Sequence, residues 1–251
     1  MPTEDQDAVL QAKVADAIRL AQSGRGAHFV GFLDERQAVL AARAAGQARF
    51  ASYLLWGGYA GAERVCFGAF PEWMEPKPQA FPLCAATASF RVCDSLTHRD
   101  FLGALLGAGI GREVLGDILV EAGRCVFFFR SEMKSFLPAQ ITKVGRVGVK
   151  LTLGATEPLP PAHHYQPFSA VVASARLDCV VAACMGISRT KAQALLQSGS
   201  VQMNHMPADR ADSPVEEGVL LSIHGKGRYR IDSLSQQTQK GRLRLQGRKY
   251  I

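Results

Sequence analysis

The chain has 251 residues, of which 47% are hydrophobic and 20% charged, so it can bury the cores of two or three small domains and is not a disordered chain. No apolar run reaches the roughly 18 residues of a membrane helix, and the acidic start MPTEDQD is unlike a secretion signal. The net charge of +7 is concentrated in residues 170–251, where 12 basic residues face 6 acidic ones; this predicts a polyanionic partner, nucleic acid or an acidic membrane.

The six cysteines are scattered along the chain and form no Cys-x-x-Cys pair: Cys66, Cys84, Cys93, Cys125, Cys179 and Cys184. This spacing argues against a disulfide framework and against a structural zinc site. We therefore expect reduced, buried thiols, no bound metal and no other cofactor.

Residues 1–60 are predicted to form a helical N-terminal region. Apolar residues recur at helical spacing within residues 5–22, and Asp34 followed by Gln37 is typical of a capping box that starts a second helix. Residues 71–82 contain four prolines, which predicts an exposed loop after this region.

Residues 61–153 are predicted to form a ferredoxin-like (RRM-like) middle domain with the order βαββαβ. The predicted strands are 88–93, 117–120, 124–129 and 145–151, and the predicted helices are 98–106 and 131–140. The segment VFFF (126–129) is apolar at every position, as a central strand covered on both faces requires. RNA-recognition modules use the same sheet, but their RNP1 aromatic signature is missing, so this pattern favours RNA only weakly.

Residues 154–168 hold four of the twelve prolines and are predicted to be a linker to a third domain, residues 169–251. Residues 175–204 of that domain predict two short helices followed by a strand. Gly186 breaks the first helix, Ser188 caps the second, and Gly199 ends it.

The first turn of the second helix carries Arg189 and Lys191, where the helix dipole disfavours cations by ~0.3–1 kcal/mol each. A phosphate bound at this helix start would offset that cost, because both side chains and free backbone N–H groups would hold it. The alternative is that both are ordinary solvated residues. Since their removal leaves the apolar stripe of the helix intact, we expect Arg189→Ala with Lys191→Ala to weaken RNA binding without affecting folding.

The pattern RLDxxVxxxxxxISRxKAxxLxxxGxVxxN resembles the RNA-binding domain named after the fourth protein of the small ribosomal subunit, here called the S-four domain. The resemblance covers about residues 175–231 and implies the αL motif of two helices packed on a short sheet. It implies that five residues lie on or beside the RNA face: Arg176, Ser188, Arg189, Lys191 and Asn204. It places Leu177, Ala192 and Leu195 in the core.

Longer segments resemble the bacterial YlmH family, which is related to RqcP in its C-terminal domain. These segments are GGYAGAERVCFGAFP (57–71), HRDFLGALLGAGIGREVLGDILV (98–120), KVGRVGV (143–149) and the tail GKGRYRI with KGRLRL. The resemblance implies a protein of ribosome-associated quality control. Such a protein binds ribosomal RNA and tRNA on stalled large-subunit complexes that carry peptidyl-tRNA.

Three segments offer alternative catalytic or metal-binding interpretations. GAGIGR (107–112) follows a predicted helix, whereas a dinucleotide-binding loop follows a strand. RLD (176–178) is superficially like a pseudouridine synthase motif, but too few residues follow it for a catalytic domain, so a structural role for Asp178 is favoured. HH (163–164) with the two cysteines of the third domain matches no zinc template.

Basic and apolar residues alternate in the tail, residues 226–250. As a strand, the tail would have a basic outer face that includes Lys226, Arg228 and Arg230, which we assign to RNA binding. As a flexible arm, it would be ordered by RNA.

A second RNA contact is predicted in the middle domain. Arg146 and Lys150 share one face of the predicted strand 145–151 and form a second basic strip. His98 and Arg99 begin a predicted helix and are further candidates for phosphate contact, although an ordinary surface helix start explains them equally well.

Together, these patterns predict an α+β protein with no catalytic residues. The resemblance to the YlmH family implies that it binds ribosomal RNA and tRNA on the large ribosomal subunit. We expect a cytoplasmic monomer with no membrane partner. Two other functions stay open. One is an RNA-modifying enzyme or its accessory, and the other is a partner in cell division that acts without RNA.

Overall fold

The protein forms two compact units, a first unit of Met1–Ala162 and a second unit of His163–Ile251. The computed structural model describes residues 4–236 and 241–251. Both units combine α-helices with antiparallel sheets, so the fold is mixed α and β, as the sequence predicts. Among the described residues, no helix is both long and apolar enough to cross a lipid bilayer.

The N-terminal part of the first unit contains two helices and a three-stranded antiparallel sheet of order β1-β3-β2. Its elements are α1 (Glu4–Gln22), β1 (His28–Leu33), α2 (Glu35–Gln47), β2 (Tyr53–Trp56) and β3 (Val65–Ala69). The predicted capping box is present at α2. The Asp34 carboxylate accepts a hydrogen bond from the Gln37 backbone N–H (2.8 Å), and the Gln37 side chain accepts one from the Asp34 N–H (2.9 Å).

The predicted helical N-terminal region therefore has its two helices but also contains strands, which were not predicted. Its strands are short, and they have apolar cores on both sides: Phe67 faces the helices, whereas Phe32 and Cys66 face the middle sheet. A strand that is apolar on both faces lacks the alternation that identifies a strand in a sequence. The predicted boundary at residue 60 also differs from the structure, because β3 lies beyond it and pairs with both β1 and β2.

The middle part of the first unit is a four-stranded antiparallel sheet of order β5-β6-β4-β9. Its elements are β4 (Leu83–Ser89), α3 (His98–Gly107), β5 (Leu115–Glu121), β6 (Arg124–Arg130), α4 (Leu137–Gln140), β7 (Lys143–Val144), β8 (Val147–Gly148) and β9 (Lys150–Leu153). The strand β6 is an inner strand buried on both faces, as its apolar run predicts. Phe127 and Phe129 pack with α3, whereas Val126 and Phe128 pack toward the N-terminal sheet.

Three elements of the middle sheet differ from their predicted bounds. The strand expected at 88–93 lies at Leu83–Ser89, because the apolar run that pairs with β6 starts earlier and Arg91 and Asp94 form an exposed ion pair in the next turn. The helix expected at 131–140 is only a 3-10 turn, Ser131–Met133, followed by one turn at α4. The strand expected at 145–151 is a tight hairpin, β7–β8, followed by β9.

The second unit is a six-stranded antiparallel sheet of order β10-β15-β14-β13-β11-β12, with two helices on one face. Its elements are β10 (Tyr165–Val172), α5 (Leu177–Met185), α6 (Arg189–Gln197), β11 (Val201–Met203), β12 (Met206–Pro207), β13 (Leu220–Ile223), β14 (Gly227–Gln236) and β15 (Leu243–Tyr250). The predicted linker 154–168 is too long, because β10 already begins at Tyr165. The partner of this strand, β15, lies far away in the chain, and such pairing leaves no local signal.

The basic tail is a strand pair rather than an arm where it is described. β14 pairs with β13 and with β15, and Ile231 and Leu245 from these strands are completely buried under α5 and α6. Residues 237–240, which the predicted tail includes, lie outside the described residues.

All six cysteines are free thiols, but they are not all buried. Burial raises the pKa of Cys66 and of Cys184 to about 12, which keeps both thiols protonated at neutral pH. Cys93, in contrast to the prediction, is exposed.

Candidate nucleic-acid interface

The two helices of the second unit are joined by a short turn that follows from local sequence. Gly186 ends α5 in the left-handed conformation (φ 62°, ψ 35°), which glycine adopts without a side-chain clash. Ser188 then caps α6, because its hydroxyl accepts a hydrogen bond from the Lys191 backbone N–H (3.4 Å). Both predicted signals are confirmed, and the start of α6 is therefore held at the surface beside the end of α5.

A buried carboxylate lies beneath this surface. Asp178, in the first turn of α5, has no exposed side-chain area, and three side chains donate hydrogen bonds to it. The Arg189 Nε lies 2.8 Å and the Gln193 Nε2 2.9 Å from Asp178 Oδ2, and the Arg176 Nε lies 3.2 Å from Oδ1. Burial raises the pKa of Asp178, but the hydrogen bonds from Arg176, Gln193 and Arg189 outweigh it and hold the pKa well below its ordinary range.

This arrangement explains why an arginine tolerates the first turn of α6. The positive end of the helix dipole disfavours an arginine at this position, and the negative charge of the Asp178 carboxylate offsets that repulsion. A bound phosphate is therefore not needed to explain Arg189. The structural role favoured for Asp178 agrees with these contacts. The side chains of Arg176 and Arg189 are still 40% and 52% exposed, so both remain accessible to solvent while Asp178 holds them.

The double variant Arg189→Ala with Lys191→Ala was expected to leave folding unchanged, but it would remove a hydrogen bond from a buried charge, so we now expect a loss of stability from its Arg189 component. Lys191 is different. Its side chain is exposed, and no carboxylate in the described residues forms an ion pair with it. It is the better residue for separating RNA binding from folding.

Asn204 has a structural role that sequence reasoning did not assign. It lies at the turn between β11 and β12 with a positive φ of 48°, where asparagine is tolerated better than most residues. Its backbone N–H donates to the Leu220 carbonyl (2.8 Å), and its side-chain oxygen accepts from the Leu220 N–H (3.0 Å). The residue is exposed, but its side chain is already used to join the turn to β13.

The structure divides the predicted RNA-binding residues of the second unit between two faces. Arg230 alternates along β14 with the buried residues Tyr229 and Ile231, which pack under the helices, so Arg230 points to the opposite face of the sheet. Arg228 lies on that same outer face, and Lys226 lies in the exposed turn between β13 and β14. These residues are therefore not on the side that carries α5 and α6.

Four further residues of the outer face were not singled out from the sequence: Tyr165, Arg244, Arg248 and Tyr250. The register pairs Tyr165 with Tyr250 and Arg230 with Arg248, which places them together on this face. The alternation of basic and apolar residues in the tail already indicated that its arginines share one strand face. No sequence pattern indicates that β10 joins this sheet, so Tyr165 was not predictable.

The second predicted contact is spread over separate elements of the first unit. His98 and Arg99 form the first turn of α3, whose cap is Thr97, and both are exposed. Arg146 lies in the turn of the β7–β8 hairpin, whereas Lys150 begins β9. The prediction that Arg146 and Lys150 share one strand face is wrong, because Gly145 (φ 57°) and Arg146 turn the chain before β9.

The segment GGYAGAER has a structural explanation. The carboxylate of Asp117 on β5 accepts hydrogen bonds from the Tyr59 hydroxyl (2.8 Å) and from the backbone N–H groups of Glu63 (2.8 Å) and Arg64 (3.0 Å). A side chain at Gly58, where φ is 106°, would overlap the ring of Phe128. The segment therefore attaches the N-terminal sheet to the middle sheet.

The alternative catalytic and metal sites receive no geometric support. Within residues 4–236 and 241–251, no three histidines, cysteines or acidic residues are grouped as a metal site. His163 lies against the ring of Tyr250, with ring centroids 4.8 Å apart. GAGIGR connects the end of α3 to a 3-10 turn, Arg112–Val114, and so follows a helix as predicted.

Three matches to known proteins bear on this chain. A family model described as "Putative RNA-binding domain in YlmH" matches residues 88–157. The "Ribosome-associated protein quality control protein P2" of Bacillus subtilis (strain 168) is 32% identical over 231 residues, which are 90% of this chain and 89% of that protein. The solved structure of the "Cell division protein ylmH from Streptococcus pneumoniae" has a TM-score of 0.52 at 21% identity, and the match covers 62% of this chain and 94% of that one.

The structural match, at 21% identity, shows a shared fold and nothing more. The relative from Bacillus subtilis carries more weight, because the similarity spans nearly the whole of both chains. The family model for the RNA-binding domain in YlmH matches residues 88–157, and the relative is 32% identical over 90% of this chain, so the chain belongs to the YlmH family.

Proposed function

We propose that this protein binds RNA in ribosome-associated quality control and contacts ribosomal RNA and tRNA on the large ribosomal subunit. The name of the relative from Bacillus subtilis supports the quality-control role, and the matched family model supports RNA binding. One observation carries the proposal on the structural side. The surface around the starts of α5 and α6 presents two half-exposed arginines, Arg176 before α5 and Arg189 in α6, which a buried carboxylate fixes, together with the exposed Lys191.

This site suits a phosphate backbone better than an isolated anion. The guanidinium groups of Arg176 and Arg189 are held by Asp178, so they lose little conformational entropy when a phosphate binds. Lys191 adds a mobile charge in the same helix turn, and Ser188 and Asn204 are also exposed. We infer that these five residues form the RNA face of an S-four-type domain.

We further infer that the middle sheet is a ferredoxin-like domain that makes a second RNA contact. Its order β5-β6-β4-β9 and its strand–helix–strand–strand–helix–strand sequence agree with that architecture. The four residues predicted for this contact, His98, Arg99, Arg146 and Lys150, all lie within the segment that the RNA-binding family model matches. All four are exposed.

The proposed protein is a non-catalytic monomer. The buried aspartate of RLD is fully used by Arg176, Arg189 and Gln193, which argues against a nucleophile at that position. The alternative role in cell division rests on the name of a Streptococcus pneumoniae protein that is 21% identical, and that likeness supports a similar fold alone.

A salt titration tests the proposed mode of binding. Because phosphate contacts release counterions, with about 4–6 phosphates neutralised the log–log slope of affinity against salt should be roughly −3 to −5. Purified large ribosomal subunits would be titrated with the full-length protein at several salt concentrations. An affinity that does not change with salt would contradict a phosphate-dominated interface.

A further inference from the structure

The outer face of the sheet in the second unit is a flat basic surface with aromatic side chains. We define this outer arginine–tyrosine face by six residues of β10, β14 and β15: Tyr165, Arg228, Arg230, Arg244, Arg248 and Tyr250. The antiparallel register aligns Tyr165 with Tyr250, and Arg230 with Arg248. Since residues two apart on a strand share a face and are about 6.8 Å apart, the six side chains form successive rows across the three strands.

The charge of this face is strongly unbalanced. The three strands carry one carboxylate, Asp232, which pairs with Arg248 at 2.8 Å. Arg230 and Arg244 are exposed, and no carboxylate in residues 4–236 or 241–251 forms an ion pair with either of them. Two arginines are therefore available to a polyanion. Arg230 lies opposite Arg248 in the register, and since Asp232 balances the charge of Arg248, Arg230 keeps its own positive charge for a ligand.

The other half of the face offers planar surfaces. The guanidinium carbon of Arg228 lies 4.6 Å from the ring centroid of Tyr250, and that of Arg248 lies 5.1 Å from the ring centroid of Tyr165. The two tyrosine rings are 4.9 Å apart, edge to face. Tyr165 is 41% exposed, so the cluster has an open side on which another planar group can stack.

From these observations we propose that the outer arginine–tyrosine face binds an unpaired RNA segment, with phosphates on Arg230 and Arg244 and bases stacked on the arginine–tyrosine cluster. A duplex hides the faces of its bases, whereas a single strand exposes both its phosphates and its bases. The face lies on the opposite side of the sheet from α5 and α6. This inference rests on the proposed function and adds a second, separate RNA site to the second unit, so one unit holds two RNA segments.

The test measures the affinity of the full-length protein for a fluorescent oligo(U), because this RNA is unpaired. A length of about 12 nucleotides lies within the usual range of single-strand sites. Arg230→Ala with Arg244→Ala should weaken binding at least tenfold. A matched control, Arg210→Ala with Arg25→Ala, removes the same charge from exposed positions off this face and should change the affinity less than twofold. Equal losses in both double variants would overturn the proposal, because the effect would then reflect net charge alone.

Base stacking is tested by Tyr165→Leu, which leaves the charge unchanged. Its affinity for oligo(U) should fall at least threefold, while its affinity for an abasic oligomer of the same length should change less than twofold. An unchanged affinity for oligo(U) would overturn the proposal. The proposal would also be overturned if the Arg230 and Arg244 double variant lost binding to anionic phospholipid vesicles while it bound RNA like the parent protein. Circular dichroism melts establish that each variant is folded.

The two proposals fail in different ways. If the parent protein binds large ribosomal subunits but not oligo(U), the outer face is not an unpaired-RNA site and the proposed function is unaffected. If the parent protein binds oligo(U) through this face but does not bind ribosomal particles, the proposed function is contradicted. Lys191→Ala should weaken binding to large subunits and leave oligo(U) binding within twofold.

Discussion

At the scale of single residues, Asp178 determines how the α5–α6 turn presents its positive charge. It is buried, and it orients two arginines, one just before α5 and one in α6. The cap at Ser188 and the break at Gly186 were predictable, because each depends on residues within one turn. The pair Asp178–Arg189 was not, since its partners are 11 residues apart and meet only once the turn has formed.

The pair Arg189 and Lys191 should separate folding from binding. Arg189→Ala removes one of three donors from the buried carboxylate and is expected to cost about 1–2 kcal/mol of unfolding free energy. Lys191→Ala should change that free energy by less than about 0.5 kcal/mol, as exposed substitutions usually do. Urea unfolding measures the first effect, and titration with large ribosomal subunits should show at least a tenfold loss of affinity for Lys191→Ala.

The opposite ranking would contradict this account. If Lys191→Ala unfolded more easily than Arg189→Ala, the buried carboxylate would not depend on Arg189. If Lys191→Ala bound ribosomal particles like the parent protein, the start of α6 would be an ordinary solvated surface.

Asp178 should also make the second unit sensitive to acid. Its folded pKa lies below its ordinary value of 3.8, so its stabilisation is present above that pH and is lost as pH falls through the folded pKa. Asp178→Asn should cost about 1–3 kcal/mol at pH 7, because the hydrogen bonds to the charged group are lost. The difference between the parent and Asp178→Asn should shrink below about pH 4, as measured by urea unfolding at about pH 7 and pH 3; a constant difference would rule out this titration.

At the level of helices and strands, a strand was predictable where its own residues form an apolar pattern. It was not predictable where it forms only by pairing with a strand that is distant in the sequence. The run VFFF identified β6, because both faces of that strand are buried. The helix expected at 131–140 failed because Pro138 has no backbone N–H to donate and permits only the short α4 around it. β10 was missed because its partner β15 is far away in the chain.

The register of α6 on the sheet predicts which of two adjacent leucines belongs to the core. Leu196 is completely buried against α5 and the sheet, whereas Leu195, assigned to the core by resemblance, is only partly buried. Leu196→Ala should therefore cost about 2–5 kcal/mol of unfolding free energy through a core cavity, and Leu195→Ala clearly less. Urea unfolding of both variants is the measurement, and equal losses would mean that α6 is rotated from its described position.

At the level of the whole molecule, the two units differ in net charge and in sheet architecture. The first unit is nearly neutral and is built on two sheets that share an apolar core. The second unit carries the surplus of basic residues, on both sides of its sheet. Composition predicted this asymmetry, but not its two faces, because the side on which a basic residue lies depends on the register of β14 and β15.

We propose that this protein contacts ribosomal RNA and tRNA on large-subunit complexes, and cells offer a test of that proposal. The most direct measurement crosslinks the protein to RNA in cells, with and without induced ribosome stalling, and sequences the bound RNA. We expect large-subunit ribosomal RNA and tRNA to be recovered, in larger amounts on stalling and in smaller amounts from cells that carry Lys191→Ala but not from cells that carry Arg210→Ala. Recovery of random cellular RNA, or of no RNA, would contradict it.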